Sequence, residues 1–591
     1  MGKRGAFAQG ELALAANGLA VSGRVGEAPA EAREAMDAAL SVLAAHKDRW
    51  VMVRVGERIE ILDKITRDTW AGRHRWVAKS LEAKGIAGNT AGEAEEWAIL
   101  AAVMRGLRVL QGSLVEIHAQ GRPRIPGPVT SRPDGQVVVQ VFPRNRLERL
   151  LFQGMSGEVW LEPGVTVEEM LGTQAGVYRD QRHGGKVALV LGAGNAAQLA
   201  VIDVLDKLFV QDQVVVLKPN PVMAYLGPLI EEGFRALIDG GFLRVVYGGA
   251  AEGAYLCQHP TVDEIHLTGS DKTFEAITFG SGPEGKQRKA EHRPRITKRF
   301  TAELGNVSPV IVVPGPWSEG DVQDQAEHLA TWLVANAGFG CLTPRVVVQN
   351  QGWAQREVLL EAMGQVFDAI ETRKAWYPGA RERHRAFVAA HPQARQFGDG
   401  RGDRLPWTLI PGVDADNCAD ICFNREAFCS LVAETGLEAL GAAEFVDRAV
   451  AFANETLWGS LAATILVHPA SMADPQVARA VEQAIAELRF GTVTVNAFAF
   501  YSYYFMVAPW GAFPGHEIYD IQSGRGKTAN ALMLEGVQKS VARAPFRKPF
   551  DPLKVTSKRA DQFARKLAAF EASGSWGRVP GLIWTAVRSR G

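Results

Sequence analysis

Five cysteines in 591 residues, Cys257, Cys341, Cys418, Cys422 and Cys429, are too few and too scattered for a disulfide framework. Cys418 and Cys422 bring no histidine at a zinc-binding spacing, so no metal is expected, and sparse thiols suit a reducing compartment, most simply the cytoplasm. Neither sign of charge predominates: Lys plus Arg and Asp plus Glu both count 65. A chain without a global field has no electrostatic claim on nucleic acid or on an anionic membrane. No uninterrupted apolar run approaches the ~18 residues of a membrane span. Glu11 also interrupts the short apolar stretch behind Lys3-Arg4, which argues against a signal peptide. Internal repeats and low-complexity tracts are missing as well. What stays open is a chain with 47% hydrophobic residues, long enough for two or three packed domains, working on a small molecule.

Residues 28–118 read as largely helical, with Met36, Leu40 and Leu43, then Ile61, Ile65, Trp70 and Leu81 set among charges, as in a cover or scaffold. Turn clusters around 121–128 and 131–135 precede a predicted strand at 137–141. From Lys186 the texture alternates. Val187-Ala-Leu-Val-Leu191 and Val214-Val-Val-Leu217 are apolar throughout, as strands covered on both faces would be, and helical spacing of Leu199, Ile202, Leu205 and Phe209 separates them. Further strands at 243–247 and 264–267 complete a βαβ pattern, hence a parallel sheet with a nucleotide-sized crevice at its carboxyl ends. A second alternating block begins at Pro309-Val-Ile-Val-Val313 and runs past Val346-Val-Val348. The class is α/β.

Cys341 ends the string Asn336-Ala-Gly-Phe-Gly-Cys341, and Thr301-Ala-Glu303-Leu-Gly-Asn306 stands upstream of it. Thiol-dependent aldehyde oxidation needs these two residue types, a sulfur to attack the carbonyl and a carboxylate to recruit water afterwards. Alone, Cys341 reads as a small core residue, Glu303 as a surface carboxylate and Asn195 as a helix cap. Two glycine patterns need separate treatment. Gly192-Ala-Gly194-Asn-Ala-Ala197 meets the loose dinucleotide fingerprint, but Lys218-Pro-Asn-Pro221 stands where an acidic ribose ligand is expected. Gly280-Ser-Gly-Pro-Glu-Gly-Lys286 mimics a phosphate loop, yet Gln287 replaces the magnesium-binding hydroxyl and no convincing strand precedes it.

Gly194-Asn195, Val216-Leu-Lys218-Pro, His266-Leu-Thr-Gly269-Ser270, Ala302-Glu303-Leu-Gly305, the Cys341 string, Glu426-Ala-Phe428 and Pro509-Trp-Gly511 occur in one order. That order resembles the aldehyde dehydrogenase superfamily from about 140 to about 545. The resemblance implies a Rossmann-type cofactor domain, an α/β catalytic domain and a small oligomerisation hairpin. It divides the chain into a helical region at 1–135, an NAD(P)-binding domain at 136–302 and a catalytic domain at 303–490. A return to the cofactor and oligomerisation region follows at 491–545, then a basic extension at 546–591. It also implies roles: Cys341 as nucleophile, Glu303 as general base and Asn195 in the oxyanion hole. Lys218, Gly269, Ser270, Gly305, Glu426 and Phe428 would bind NAD or NADP, while Asn496 and Trp510 would lie near the substrate. Such a site is expected to hold the thiol pKa near ~7, about 2 kcal/mol of stabilisation of the anion.

Departures from the family pattern mark this sequence. Pro221 stands where NAD-dependent relatives carry a glutamate, which leaves NADP open. Phe274 replaces a glycine of the pyrophosphate turn, Gly194 an aromatic and Phe339 a glutamine. The Lys218-Pro-Asn-Pro221 string resembles the CoA-acylating branch, but Glu303 favours hydrolysis to the acid; a non-catalytic scaffold of the same fold is the third alternative. A homodimer or homotetramer is implied, sharing strands near 137–141 or 537–544. The extension interleaves Phe563, Leu567, Phe570, Trp576 and Trp584 with Arg565, Lys566, Arg578 and Arg588. It is expected to cover a substrate entrance or a subunit boundary, with membrane-surface binding as the weaker option.

Overall fold

Apolar parallel strands end at a common edge of a six-stranded sheet, and that edge organises the molecule. The computed structural model describes residues 26–180, 182–548 and 551–589. The basic opening and Glu11 lie outside the described residues.

The six-stranded sheet runs Gly524–Arg525, Arg299–Glu303, Glu264–Thr268, Val187–Leu191, Val214–Lys218, Leu243–Val245. All but the first are parallel, and the three central strands are buried at every position, as the apolar runs of Val187–Leu191 and Val214–Leu217 require. Chain order reverses on the two sides of Val187–Leu191, so the loops leaving it and Glu264–Thr268 diverge and open a crevice. Leu191 pairs with Lys218 and Thr268 with Glu303, so the loops after these strands open on one side of the sheet.

An eleven-stranded sheet forms the second body. From Val537–Arg543 through Thr492–Val495, Ala462–Leu466, Ser308–Val312, Pro344–Asn350 and Leu431–Leu437 to Trp407–Val413 it is parallel. Antiparallel strands Ser156–Leu161, Val137–Phe142 and Val129–Ser131 extend one edge, and Arg395–Phe397 closes the other. This corrects the boundary drawn at 136. Residues 137–161 belong to the larger sheet, because Val537–Arg543 accepts Ser156–Leu161 on one side and Thr492–Val495 on the other. Both segments expected to be shared between subunits are therefore interior strands of one chain, and the open edges are Val129–Ser131 and Arg395–Phe397.

The N-terminal region is helical as its periodicity predicts: Ala30–Val51, Val55–Ala71, Arg73–Lys84 and Thr90–Gln120. The last is long and apolar enough to cross a membrane, but 72% of its most apolar window is buried inside the protein, which explains why it is apolar on all sides. Buried Arg58 holds this region to the smaller sheet through Asp212 at 2.6 Å, beside Trp50, whose indole donates to the Leu208 carbonyl. The phosphate-loop look-alike proves to be the junction of helices Asp271–Phe279 and Gly282–Ala290; no strand feeds it.

Candidate active site

Glu303 ends its strand beneath the crevice and is 3% exposed. Cys341 arrives from the larger body. Helix Glu319–Val334 stops, Asn336, Ala337 and Gly338 take left-handed φ of 52°, 55° and 78°, and strand Pro344–Asn350 begins just after the cysteine. Left-handed backbone costs a non-glycine residue ~1–2 kcal/mol, so a run containing two of them needs support. Its amide reaches the Asn195 and Phe339 carbonyls at 2.8 and 3.0 Å, its carbonyl oxygen accepts from Lys84 Nζ at 2.9 Å, and its backbone N–H donates to Glu95 at 3.1 Å; all these belong to Asn336. Gly338 is obligatory, since a Cβ there would sit 2.3 Å from the Cys429 carbonyl oxygen. Arg345 closes the far side by donating to the carbonyls of Gly338 and Cys429.

The outcome is contact between the two candidate groups: Cys341 Sγ donates to Glu303 Oε1 at 3.0 Å. Burial pushes the Glu303 carboxyl up to about 7, with Cys341 and Trp510 acting in the opposite sense. Its other oxygen, Oε2, has no hydrogen-bond partner among the described residues. The sulfur departs from expectation. Burial, then the neighbouring Glu303, push the thiol well above its ordinary value instead of lowering it, because the loss of water and the adjacent carboxylates outweigh the backbone hydrogen bond that favours the anion. Cys341 is nevertheless half-buried and open to a cavity of about 380 Å³ that Asn195, Phe339, Tyr503 and Trp510 also line.

Asn195 follows the glycine fingerprint loop and donates to the Phe339 carbonyl at 3.0 Å, leaving its second N–H free for a ligand. Asn220 occupies the space a Cβ on Gly194 would need, at 2.8 Å, so the loop presents Asn195 instead of cradling a phosphate. Trp510 reaches the cavity, but Asn496 does not line it: its side chain bonds both backbone groups of Val467 and steadies its own left-handed turn.

On the crevice side, Lys218 is buried and burial lowers its ammonium to about 8, with Glu252 acting against that. It enters no ion pair among the described residues. Gly269 donates its N–H to the Glu303 carbonyl at 3.0 Å, and Ser270 caps helix Asp271–Phe279. Phe274 points down onto Phe300, ring centroids 4.6 Å apart, so the aromatic substitution is absorbed in the core beneath the turn. Glu426 approaches Gly305 so closely that a Cβ there would lie 2.3 Å from its Oε2. Burial raises this carboxyl to about 7 against the pull of Arg345, and its Oε1 is without a partner among the described residues. Phe428 stacks edge-on to Tyr377, and Arg383 holds its carbonyl at 3.0 Å.

Some participants are invisible to motif reading. Lys84, Glu95 and Glu96 come from the helical region, more than two hundred positions from Asn336. His391 likewise meets Asp420 at 3.1 Å and Cys422 at 3.8 Å, where spacing around the cysteines offered no histidine; its Nδ1 bonds the Phe387 carbonyl, as a structural ring would. A second depression, about 470 Å³ beside Arg381 and Arg385, holds none of the candidate residues.

Residues 205–380 match the model of the aldehyde dehydrogenase family. The human 4-trimethylaminobutyraldehyde dehydrogenase is 32% identical over 194 residues, 32% of each chain. An aldehyde dehydrogenase of Enchytraeus buchholzi is 36% identical over 132 residues, 21% of this chain and 23% of its own. The alignments thus span about a third or less of these curated relatives. Among solved structures, a putative aldehyde dehydrogenase from Burkholderia cenocepacia superposes with TM-score 0.57 at 19% identity, over 86% of this chain and 91% of that one. The Mycobacterium tuberculosis aldehyde dehydrogenase complexed with NAD+ gives 0.55 at 16%, over 87% and 90%. The NADP-dependent glyceraldehyde-3-phosphate dehydrogenase of Bacillus halodurans, complexed with NADP, gives 0.56 at 16%, over 86% and 91%. At these identities the structures speak for the fold, and the segment 205–380, which holds Glu303 and Cys341, is the part of the chain that matches the aldehyde dehydrogenase family.

Proposed function

We propose that the protein oxidises an aldehyde to a carboxylic acid, with NAD or NADP as co-substrate, through a thiohemiacetal and then a thioester on Cys341. The carrying observation is the 3.0 Å hydrogen bond from Cys341 Sγ to Glu303 Oε1, opening on a cavity that Asn195 also lines. A thiol held protonated needs a base at hand. Glu303, with its pKa near 7, accepts the proton along that bond as sulfur attacks the carbonyl carbon. The free N–H of Asn195 meets the oxyanion, a donor typically worth ~10²–10³ in rate.

The crevice suits a dinucleotide. Among the described residues, Glu426 Oε1 is buried without a partner beside glycine at 305, which leaves hydroxyl acceptors and room together, and Lys218 at the end of its strand enters no ion pair. Lys218, Gly269, Ser270, Gly305, Glu426 and Phe428 would hold it, and when bound it supplies the hydride acceptor. The relatives named for NAD+ and NADP complexes support this reading. Pro221 opens a 3-10 turn and offers no carboxylate to a ribose, which suits NADP as well as NAD. Once relieved of its proton, Glu303 deprotonates a water that attacks the thioester; the thiolate leaves, takes up a proton and frees the acid. Should subunits associate by strand addition, the two open sheet edges are the surfaces available.

The test mixes purified protein with an aldehyde panel and NAD or NADP, following nicotinamide absorbance and acid release. Acid formation independent of CoA is expected. CoA-dependent reduction without acid, or no reduction with any aldehyde, overturns the proposal.

A further inference from the structure

The basic extension ends up on the cavity. Helices Ala560–Ser573 and Val579–Arg588 contribute Phe563, Leu567, Leu582 and Ile583 to its wall, opposite Ala94 and Ala98 of helix Thr90–Gln120. They are integral to the fold. Ala564, Ala568 and Phe570 are buried against the long helix, and Glu571, fully buried, accepts from Arg105 at 3.1 Å, from Tyr504 at 2.9 Å and from Arg108. The cavity follows the long helix from Ala91 to Ile99, about 12 Å at 1.5 Å per residue. Its rim is apolar too: Leu150 and Ile583 both line it and are each 39% exposed.

Charged side chains that reach the cavity are already matched. Glu95 is bound by Arg373, Asp551 by His328 and Lys548, and Lys554 by Asp324 and Glu327. Among the aromatic rings of the wall, Tyr501 already has Lys548 Nζ 4.5 Å from its centroid. A substrate entering here meets a mainly apolar wall with no unmatched charge among the described residues.

Resting on the dehydrogenase reading above, we propose that the two C-terminal helices complete a tunnel that selects uncharged aldehydes with long hydrocarbon tails. Each buried methylene is worth ~4-fold in kcat/KM, so specificity should climb steeply with chain length. The experiment compares propanal, hexanal, decanal and 4-trimethylaminobutyraldehyde on the full chain, and titrates dansyl-undecanoic acid into the Cys341→Ala protein by fluorescence. The wild type should favour decanal over propanal by at least 100-fold and the probe should bind. Ile583→Glu, at the exposed rim, and Ala586→Trp, which fills the lumen, should each lower the decanal-to-propanal ratio at least 10-fold and weaken the probe. A flat chain-length profile without probe binding, or preference for the trimethylammonium aldehyde over hexanal, overturns the tunnel while leaving the dehydrogenase intact. Ratios untouched by both variants overturn the part given to the C-terminal helices. Probe binding with no oxidation of any aldehyde sinks the catalytic reading instead and keeps the tunnel.

Discussion

Replacing Glu303 with glutamine should make the protein more stable and less active, with both effects following pH. The carboxyl is 3% exposed and burial lifts it from 4.5 to about 7. Each tenfold change in proton affinity equals about 1.4 kcal/mol, so holding the ionised form inside costs the fold up to about 3 kcal/mol. The folded value lies above the unfolded one. The cost is therefore nil below about pH 4.5, where both states are protonated, grows between 4.5 and 7, and is complete above 7. Glu303→Gln keeps the shape and removes the ionisation. Urea unfolding at pH 8.5 and 5.5 should show the variant gaining about 2 kcal/mol more, relative to wild type, at the higher pH. Activity should move the other way: the nicotinamide burst, which needs the thiol proton removed, and the acid release that follows should both be slowed, by ~10²–10⁴. Wild-type turnover should fall as pH drops through about 7, where Glu303 takes up its proton. A stability difference identical at both pH values, or a variant that turns over normally, would refute the assignment of a buried base.

Asn195→Ala should reduce kcat by ~10²–10³ in steady-state assays with little change in KM, because its free N–H acts on the oxyanion and not on the bound aldehyde. Lys84→Met leaves Glu96, 1% exposed, without its cation and Asn336 without a donor; denaturant titration should show a loss of ~3–5 kcal/mol and kcat should fall as the Cys341 loop loosens. Glu571→Ala strips fully buried Arg105 of one of its two carboxylates, so limited proteolysis should release the segment after 551 and stability should drop by ~3–5 kcal/mol.

The α/β class and the strands at 187–191, 214–218 and 264–268 were legible in residue order, because periodicity is a local property, whereas Cys341 and Glu303 were singled out by resemblance and the tertiary structure sets their contact. The same locality misled elsewhere. Periodicity identifies 137–142 as a strand but carries no record of its partner, so its membership in the larger sheet, decided by residues 537–543, was out of reach. Resemblance set Asn496 near the substrate, yet Val467 claims its side chain.

By itself, the sequence determined which chemistry was possible: a thiol, a carboxylate and an amide in one order, on elements whose hydrophobic period sets strand or helix. Only the tertiary structure decided their electrostatics and surroundings. Burial, a property of everything packed around a group, raises Glu303 toward neutrality and keeps the thiol protonated, and helices from both ends of the chain close on Asn336 and on the cavity above Cys341. Those contacts join residues hundreds of positions apart, and distance along a chain holds no information about distance in space until the core has formed.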